Sequence, residues 1–332
     1  MRPALSRSVP FLLHPAPKDY LWGGTRLNDD FAKHIASNTV AETWECSTHP
    51  DGVSIAASGE WIGMPLDEIL RLHPEYLGKH AKGGTDLPIL VKLIDARRDL
   101  SVQVHPDDEF ARAHEDGQNG KTEMWYVMDA DPDTCIAYGL HHTVDRDLFR
   151  KAIDDGTVEK FLQFVPVRKN DLFFIPPGTV HAIGAGCLIA EIQQCSNLTY
   201  RLYDYNRTDR DGRKRPLHLE KGLAVANLEA MPEPRQPMRL LRYSGGMASE
   251  QLCHCRYFHV ERVLVNTEQR REMAAFRASP ESFEIFLFLN GCGSMFCRDS
   301  LIQFFKGDCV FVPAGTTDIR LHARTSFLRI TC

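Results

Sequence analysis

Short runs rich in Val, Ile, Phe and Leu recur along the chain, and Gly and Pro separate them before a helix of several turns can form. That punctuation predicts an antiparallel, mainly β fold. Residues 88–94 (PILVKLI), 100–104 (LSVQV) and 124–128 (MWYVM) read as strands. A helical period replaces this pattern between Asp145 and Val165. There Leu148, Phe149, Ala152 and Ile153 share one face, Gly156 interrupts, and Val158, Phe161 and Leu162 follow. The expectation is a helical pair near residues 143–165, inserted between strands. A shorter helix is expected over residues 67–77, entered through Pro65 as a first-turn proline.

The ordering loosens over residues 228–250, where MPEPRQP at 231–237 and Ser244-Gly245-Gly246 have linker composition. A domain boundary is expected there, with residues 1–240 on one side and 251–332 on the other. Beyond it, residues 283–289 (FEIFLFL) and 309–312 (CVFV) predict a second, smaller set of strands without an obvious helix. NDLFFIPPG at 170–178 and GDCVFVPAG at 307–315 repeat a turn, a buried strand and a proline-containing turn ending in Gly. One barrel motif used twice accounts for the repeat. Small β-barrels hold ligands in their mouths.

Composition narrows the function. At 332 residues, 43% hydrophobic and 25% charged, the chain is of globular type and long enough that two packed domains are expected. The net charge of -5 arises from 44 acidic and 39 basic residues mixed along the chain, which argues against nucleic acid as a partner. No apolar run approaches the roughly 20 residues of a membrane span, and Phe11-Leu12-Leu13 is too short for a secretory segment. A cytoplasmic protein, without membrane contact, is expected. The ten dispersed cysteines then read as reduced thiols. Asn197-Leu198-Thr199 and Asn206-Arg207-Thr208 fit a glycosylation pattern that has meaning only in a secreted chain.

The chemistry centres on four residues. Gln103 and His105 are two apart on a predicted strand and therefore share a face. Glu123 opens the next strong strand, and His181 follows the Pro-Pro-Gly turn at the end of a third. Two imidazoles, a carboxylate and an amide oxygen suit zinc with a position open to substrate, and the absence of cysteine points to catalysis rather than structure. Taken singly, His105 is equally a strand-end residue and His181 a satisfied core histidine.

Other motifs carry less. Gly120-Lys121-Thr122 imitates the end of a phosphate-binding loop, but Glu115 stands where its first glycine is required. Lys121 reads instead as a site cation or a solvated loop lysine. Glu191 interrupts the apolar run LIAEIQ and needs a cation, a donor or a catalytic reason to be buried. Arg201 on the next strand is one such partner, and a structural ion pair is the alternative to catalysis. Cys253, Cys255, Cys292 and Cys297 match no standard zinc spacing. The second copy of the barrel phrase has no histidine where the first has His181, so no metal is expected in residues 251–332.

These residues stand in an ordered series: Trp22-Gly23-Gly24, AETWE at 41–45, LSVQVHPDD at 100–108, GKTEMWY at 120–126, PPGTVHAI at 176–183 and TYRLYDY at 199–205. Over nearly the whole chain the series resembles the type I mannose-6-phosphate isomerase family in its short bacterial form. The resemblance implies a pair of cupin (jelly-roll) barrels with a helical insertion, and interconversion of mannose 6-phosphate and fructose 6-phosphate. It implies one zinc ion per chain held by Gln103, His105, Glu123 and His181, and a catalytic Arg201. Lys92, Lys121 and Glu191 would line the sugar site. The chain departs from the family where Cys292, Cys297 and Cys309 interrupt the C-terminal strands.

Aldose–ketose isomerisation moves a proton between the first two sugar carbons through a cis-enediol. Zinc would act as a Lewis acid, with Glu191 or Lys121 as the base. Arg201 would clamp the enediolate or the phosphate. The remaining alternatives are another hexose-phosphate isomerase of the same class and a non-catalytic sugar-binding cupin. A monomer or weak homo-oligomer is expected.

Overall fold

A computed structural model describes residues 8–81, 83–208, 211–232, 234, 236 and 239–332. The linker residues 233, 235 and 237 lie outside the described residues. The fold is mainly β, built on antiparallel sheets of ten, six and five strands.

The six-stranded sheet is the middle layer. Its central strands, Ile89–Asp95 and Cys187–Gln194, are buried along their whole length. One face carries Val91, Leu93, Ala190 and Ile192 against Ile285, Leu287 and Phe311 of the ten-stranded sheet. The other carries Ile94, Trp125 and Ile189 against Leu100, Ile136 and Ile183 of the five-stranded sheet. Burial on both faces is why these strands read as continuous apolar runs rather than as an alternation.

The outer face of the five-stranded sheet is covered by helices, with Phe149, Ala152, Ile153 and Leu223 packing on Val102, Val104 and Leu202. The helix expected after Asp145 spans Arg146–Asp154, and the Asp145 carboxylate caps it by accepting from the Asp147 and Leu148 amides. Its expected partner is only the short 3-10 turn Val158–Lys160. Leu162 instead begins the strand Leu162–Pro166, paired with Leu140, because an edge of the sheet is available to it. Similarly, the helix near Asp67 ends at Leu72, and Pro74–Leu77 is a separate 3-10 turn.

The ten-stranded sheet curves around a core of its own, built by Phe286, Phe288, Phe304 and Phe327 on the side of the strands opposite Ile285 and Leu287. Cys297 and Cys309 are buried within it, and Glu284–Cys297 pairs continuously through Cys292. The cysteines therefore do not interrupt these strands. Two early strands complete this sheet: Phe11–His14 pairs with Cys309–Val312 and with Ile55–Ala56. The repeated phrase falls on Leu172–Ile175 and Cys309–Val312, each a four-residue strand.

Candidate metal centre and its cavity

Two rows of side chains face each other between the six- and five-stranded sheets. In the six-stranded sheet, Trp44 pairs with Lys92, Lys92 with Glu191, and Glu191 with Trp125, so all four project from one face. In the five-stranded sheet, Gln103 lies opposite both His181 and Arg201. Polar residues on inward positions of otherwise apolar strands thus build a lined site rather than a solvated face. Between the rows is a cavity of about 250 Å³, bordered among others by Lys92, Gln103, Lys121, Glu191 and Arg201.

His105, Glu123 and His181 converge beside it, each offering one ligand atom within 4.8 Å of the others. His105 follows the strand Val102–Val104, Glu123 opens Glu123–Ala130, and His181 opens His181–Ile183 rather than closing a strand. His105 Nε2 is 3.5 Å and His181 Nε2 3.3 Å from the Glu123 carboxylate. His181 Nδ1 donates to the Thr179 carbonyl at 2.8 Å, which leaves Nε2 as a lone pair aimed at the cluster. Gln103 Nε2 meets that nitrogen at 3.3 Å. Half a turn of the amide puts its oxygen there instead.

All three groups are fully buried, yet neither Glu123 oxygen accepts a well-directed hydrogen bond. An unsatisfied buried carboxylate between two imidazoles is costly unless a cation completes it. This nitrogen and oxygen donor set suits a divalent metal. Lys121 Nζ, 2.9 Å from Glu123 Oε2 and 3.2 Å from His105 Nε2, supplies the nearest protein charge.

The electrostatics keep the ligands in binding form. Burial, then the Lys121 charge, pulls His105 down to about 3 against the opposing pull of Glu123. Burial lowers His181 as well. Burial raises Glu123, but Lys121 and the two histidines outweigh it and hold the carboxyl well below its usual range. Neutral imidazoles and an ionised carboxylate are what a metal requires.

The structure gives Glu191 a partner other than the one considered from sequence. Its Oε2 accepts from Trp125 Nε1 at 2.9 Å, and its Oε1 lies 3.4 Å from Lys92 Nζ. Arg201 instead donates through Nη1 to the Pro216 carbonyl at 2.9 Å, and its buried Nε has no hydrogen-bond partner. Burial, then the Glu123 charge, raises Glu191. Lys92 is depressed by burial, but Glu42, Glu191 and Glu123 more than reverse this.

Sequence reasoning missed Glu42, Tyr20, Asn197 and Arg215, all of which border the cavity. Glu42 lies 3.5 Å from Lys92 and accepts from Trp44 Nε1 at 2.8 Å. An acidic residue inside the AETWE run was the available signal for it. Asn197, discounted as a glycosylation site, instead borders the cavity and donates to Asp51.

The chain is similar to known proteins over most of its length. Residues 11–138 match the model of the phosphomannose isomerase type I catalytic domain. The chain is 36% identical over 313 residues to mannose-6-phosphate isomerase ManA of Bacillus subtilis, covering 94% of this chain and 96% of that one. It is 43% identical over 219 residues to the mannose-6-phosphate isomerase of Streptococcus mutans, covering 66% of this chain and 68% of that one. The crystal structure of the mannose 6-phosphate isomerase from Bacillus subtilis superposes with a TM-score of 0.87 at 33% identity, over 97% of this chain and 99% of that one. A phosphomannose isomerase variant from Salmonella typhimurium shares the fold, with a TM-score of 0.75 at 14% identity over 97% of this chain and 98% of that one.

Proposed function

The chain belongs to the type I phosphomannose isomerase family and is an aldose–ketose isomerase of mannose 6-phosphate and fructose 6-phosphate; within that activity, we propose that the metal is zinc and that the cavity residues divide the work as follows. His105, Glu123 and His181 hold the ion, with Gln103 as a fourth ligand through its amide oxygen. A zinc ion bound there supplies Lewis acidity toward the oxygens of the substrate. The observation that carries this reading is the convergence of His105, Glu123 and His181, their ligand atoms within 4.8 Å of one another, beside a cavity that Gln103 and Lys121 border.

Glu191 moves the proton. Trp125 anchors one of its oxygens, while Oε1 has no directed hydrogen bond and its pKa is raised, which brings the carboxylate toward the working range of a base. Lys92, paired with Glu191 and Glu42, keeps two carboxylates together in a buried place. Lys121 keeps Glu123 ionised and adds positive charge beside the reacting carbons. Arg201, fixed by Pro216 on one side, borders the cavity. With Arg215, which is held by Asp204 at 2.8 Å and also borders the cavity, it offers the guanidinium pair suited to a phosphate.

Every residue in this assignment lies within residues 1–240, and 251–332, whose sheet is completed by Phe11–His14 and Ile55–Ala56, supplies no group that touches substrate in this reading. Among the described residues no second cluster of metal-ligating side chains is found. All ten cysteines are free, which fits a reducing, cytoplasmic compartment. No helix among the described residues is long and apolar enough to cross a membrane.

Product analysis in deuterated water tests the reading. Mannose 6-phosphate should give fructose 6-phosphate with solvent label incorporated, glucose 6-phosphate should give no comparable turnover, and Glu191→Gln should abolish exchange with its metal retained. Full retention of substrate hydrogen during turnover would point instead to a hydride shift or to a fully shielded proton. Turnover of glucose 6-phosphate alone would favour another hexose-phosphate isomerase, and binding without turnover a sugar-binding protein.

A further inference from the structure

Three backbone amides lead into Glu123, and each has a fixed acceptor. Gly120 N–H donates to Asp108 Oδ1 at 3.0 Å, Lys121 N–H to the Pro106 carbonyl at 3.0 Å, and Thr122 N–H to Gln194 Oε1 at 2.8 Å. Gln194 returns its own amide to the same Asp108 oxygen at 2.9 Å. A Cβ on Gly120 would lie 2.4 Å from the Asp107 carbonyl carbon, so this segment rests flush on the Asp107–Asp108 backbone. Lys121 and Glu123 therefore take their positions from a short, closely held piece of chain, and Asp108 is its hub.

The other oxygen of Asp108 faces away from the site and accepts the Tyr257 hydroxyl at 3.0 Å. Tyr257 comes from the turn between Met247–His254 and His259–Asn266 in the ten-stranded sheet, outside the half that carries the metal cluster. Arg112 Nη2, 3.5 Å from the same oxygen, is largely exposed and a weak substitute for that bond.

We propose that Tyr257 and Asp108 are positioning residues of the isomerase site, Tyr257 fixing the Asp108 carboxylate on the Gly120 amide and thereby the placement of Lys121 against Glu123. The inference rests on the isomerase reading and gives the C-terminal unit a part in it. Without the hydroxyl, the carboxylate can turn toward Arg112 and water, and the Gly120 amide loses a rigid acceptor. Groups that support a site from behind are typically worth about 10- to 100-fold in metal affinity or activity.

The test compares wild type, Tyr257→Phe, Asp108→Asn and the double variant for kcat, KM, bound metal and thermal midpoint. In Tyr257→Phe, kcat should fall about tenfold, with KM within about twofold of wild type and metal content and midpoint preserved. Asp108→Asn should fall further, and the double variant no further than Asp108→Asn, because Tyr257 acts through that carboxylate. Wild-type kcat in Tyr257→Phe, a loss that only tracks lost metal or stability, or multiplicative losses in the double variant would overturn the proposal. If Asp108→Asn does not fold, Tyr257→Phe decides alone, since it removes one oxygen and keeps the ring. A wild type without isomerase turnover would strike the isomerase reading itself; an active wild type with an unaffected Tyr257→Phe would strike only the positioning role.

Discussion

The Lys92 ammonium lies 3.4 Å from Glu191 Oε1, on neighbouring strands of a sheet that is buried on both faces. Glu42, at 3.5 Å on the other side, makes Lys92 the counter-charge of two carboxylates. Removing one partner from such a buried group leaves the others uncompensated. Lys92→Met should therefore lower the unfolding free energy by about 3 kcal/mol in urea titrations. Its turnover should fall as well. Unchanged stability would mean that water, not Lys92, balances the pair.

Arg201 presents the opposite case, a cation with little to hold structurally. Its side chain donates to the Pro216 carbonyl, and its Nε is unpartnered. Arg201→Ala should lower kcat by about a hundredfold or more while metal content and stability stay near wild type. Near-normal turnover in steady-state assays would remove Arg201 from the mechanism.

Gly120 tests the close seating of the site segment by sterics alone. An added methyl meets the Asp107 carbonyl carbon at 2.4 Å and the Asp108 amide nitrogen at 2.5 Å, both backbone atoms. Gly120→Ala should cost about 1–3 kcal/mol of stability and reduce turnover, as overpacking does. A variant with wild-type melting and kinetics would show that the segment has room to shift.

The buried histidines make a prediction about pH. His105 is held at about 3 and His181 is also lowered, from an ordinary value of 6.5. Because the folded state keeps these rings neutral, their contribution is complete above the unfolded value and is lost as pH falls toward the folded one. In metal-stripped protein, the urea midpoint should decline as pH falls from about 6.5 toward about 3, and His105→Gln should flatten that decline. Equal slopes in the two proteins would place the titration elsewhere.

What the sequence revealed follows from how local each signal is. Ile89–Asp95 and Cys187–Gln194 were legible as strands because burial on both faces leaves nothing but apolar residues, apart from Lys92, Glu191 and Gln193, in their interiors. The helix after Asp145 was legible from its period, while its Asp145 cap came only with the structure. Leu162 misled because its apolar spacing suits a helix, whereas pairing with Leu140 decides its state. Strand spacing related only Gln103 to His105, and the cluster of His105, Glu123 and His181, which come from three separate strand ends, was legible from the donor types and the resemblance. The helix Leu219–Val225 went unseen: it is short, lacks a side-chain cap, and depends on Gly222 seating against Leu202. Arg215 and Tyr257 enter only through tertiary contact, to Asp204 and Asp108, which no local pattern encodes.

Metal analysis coupled to a mannose 6-phosphate assay, before and after chelation, bears most directly on the cluster of His105, Glu123 and His181. The account predicts about one zinc ion per active chain, loss of turnover with the ion, recovery in proportion to zinc restored, and no retained ion in Glu123→Gln. Full turnover in protein stripped to below about a tenth of an ion per chain would contradict it.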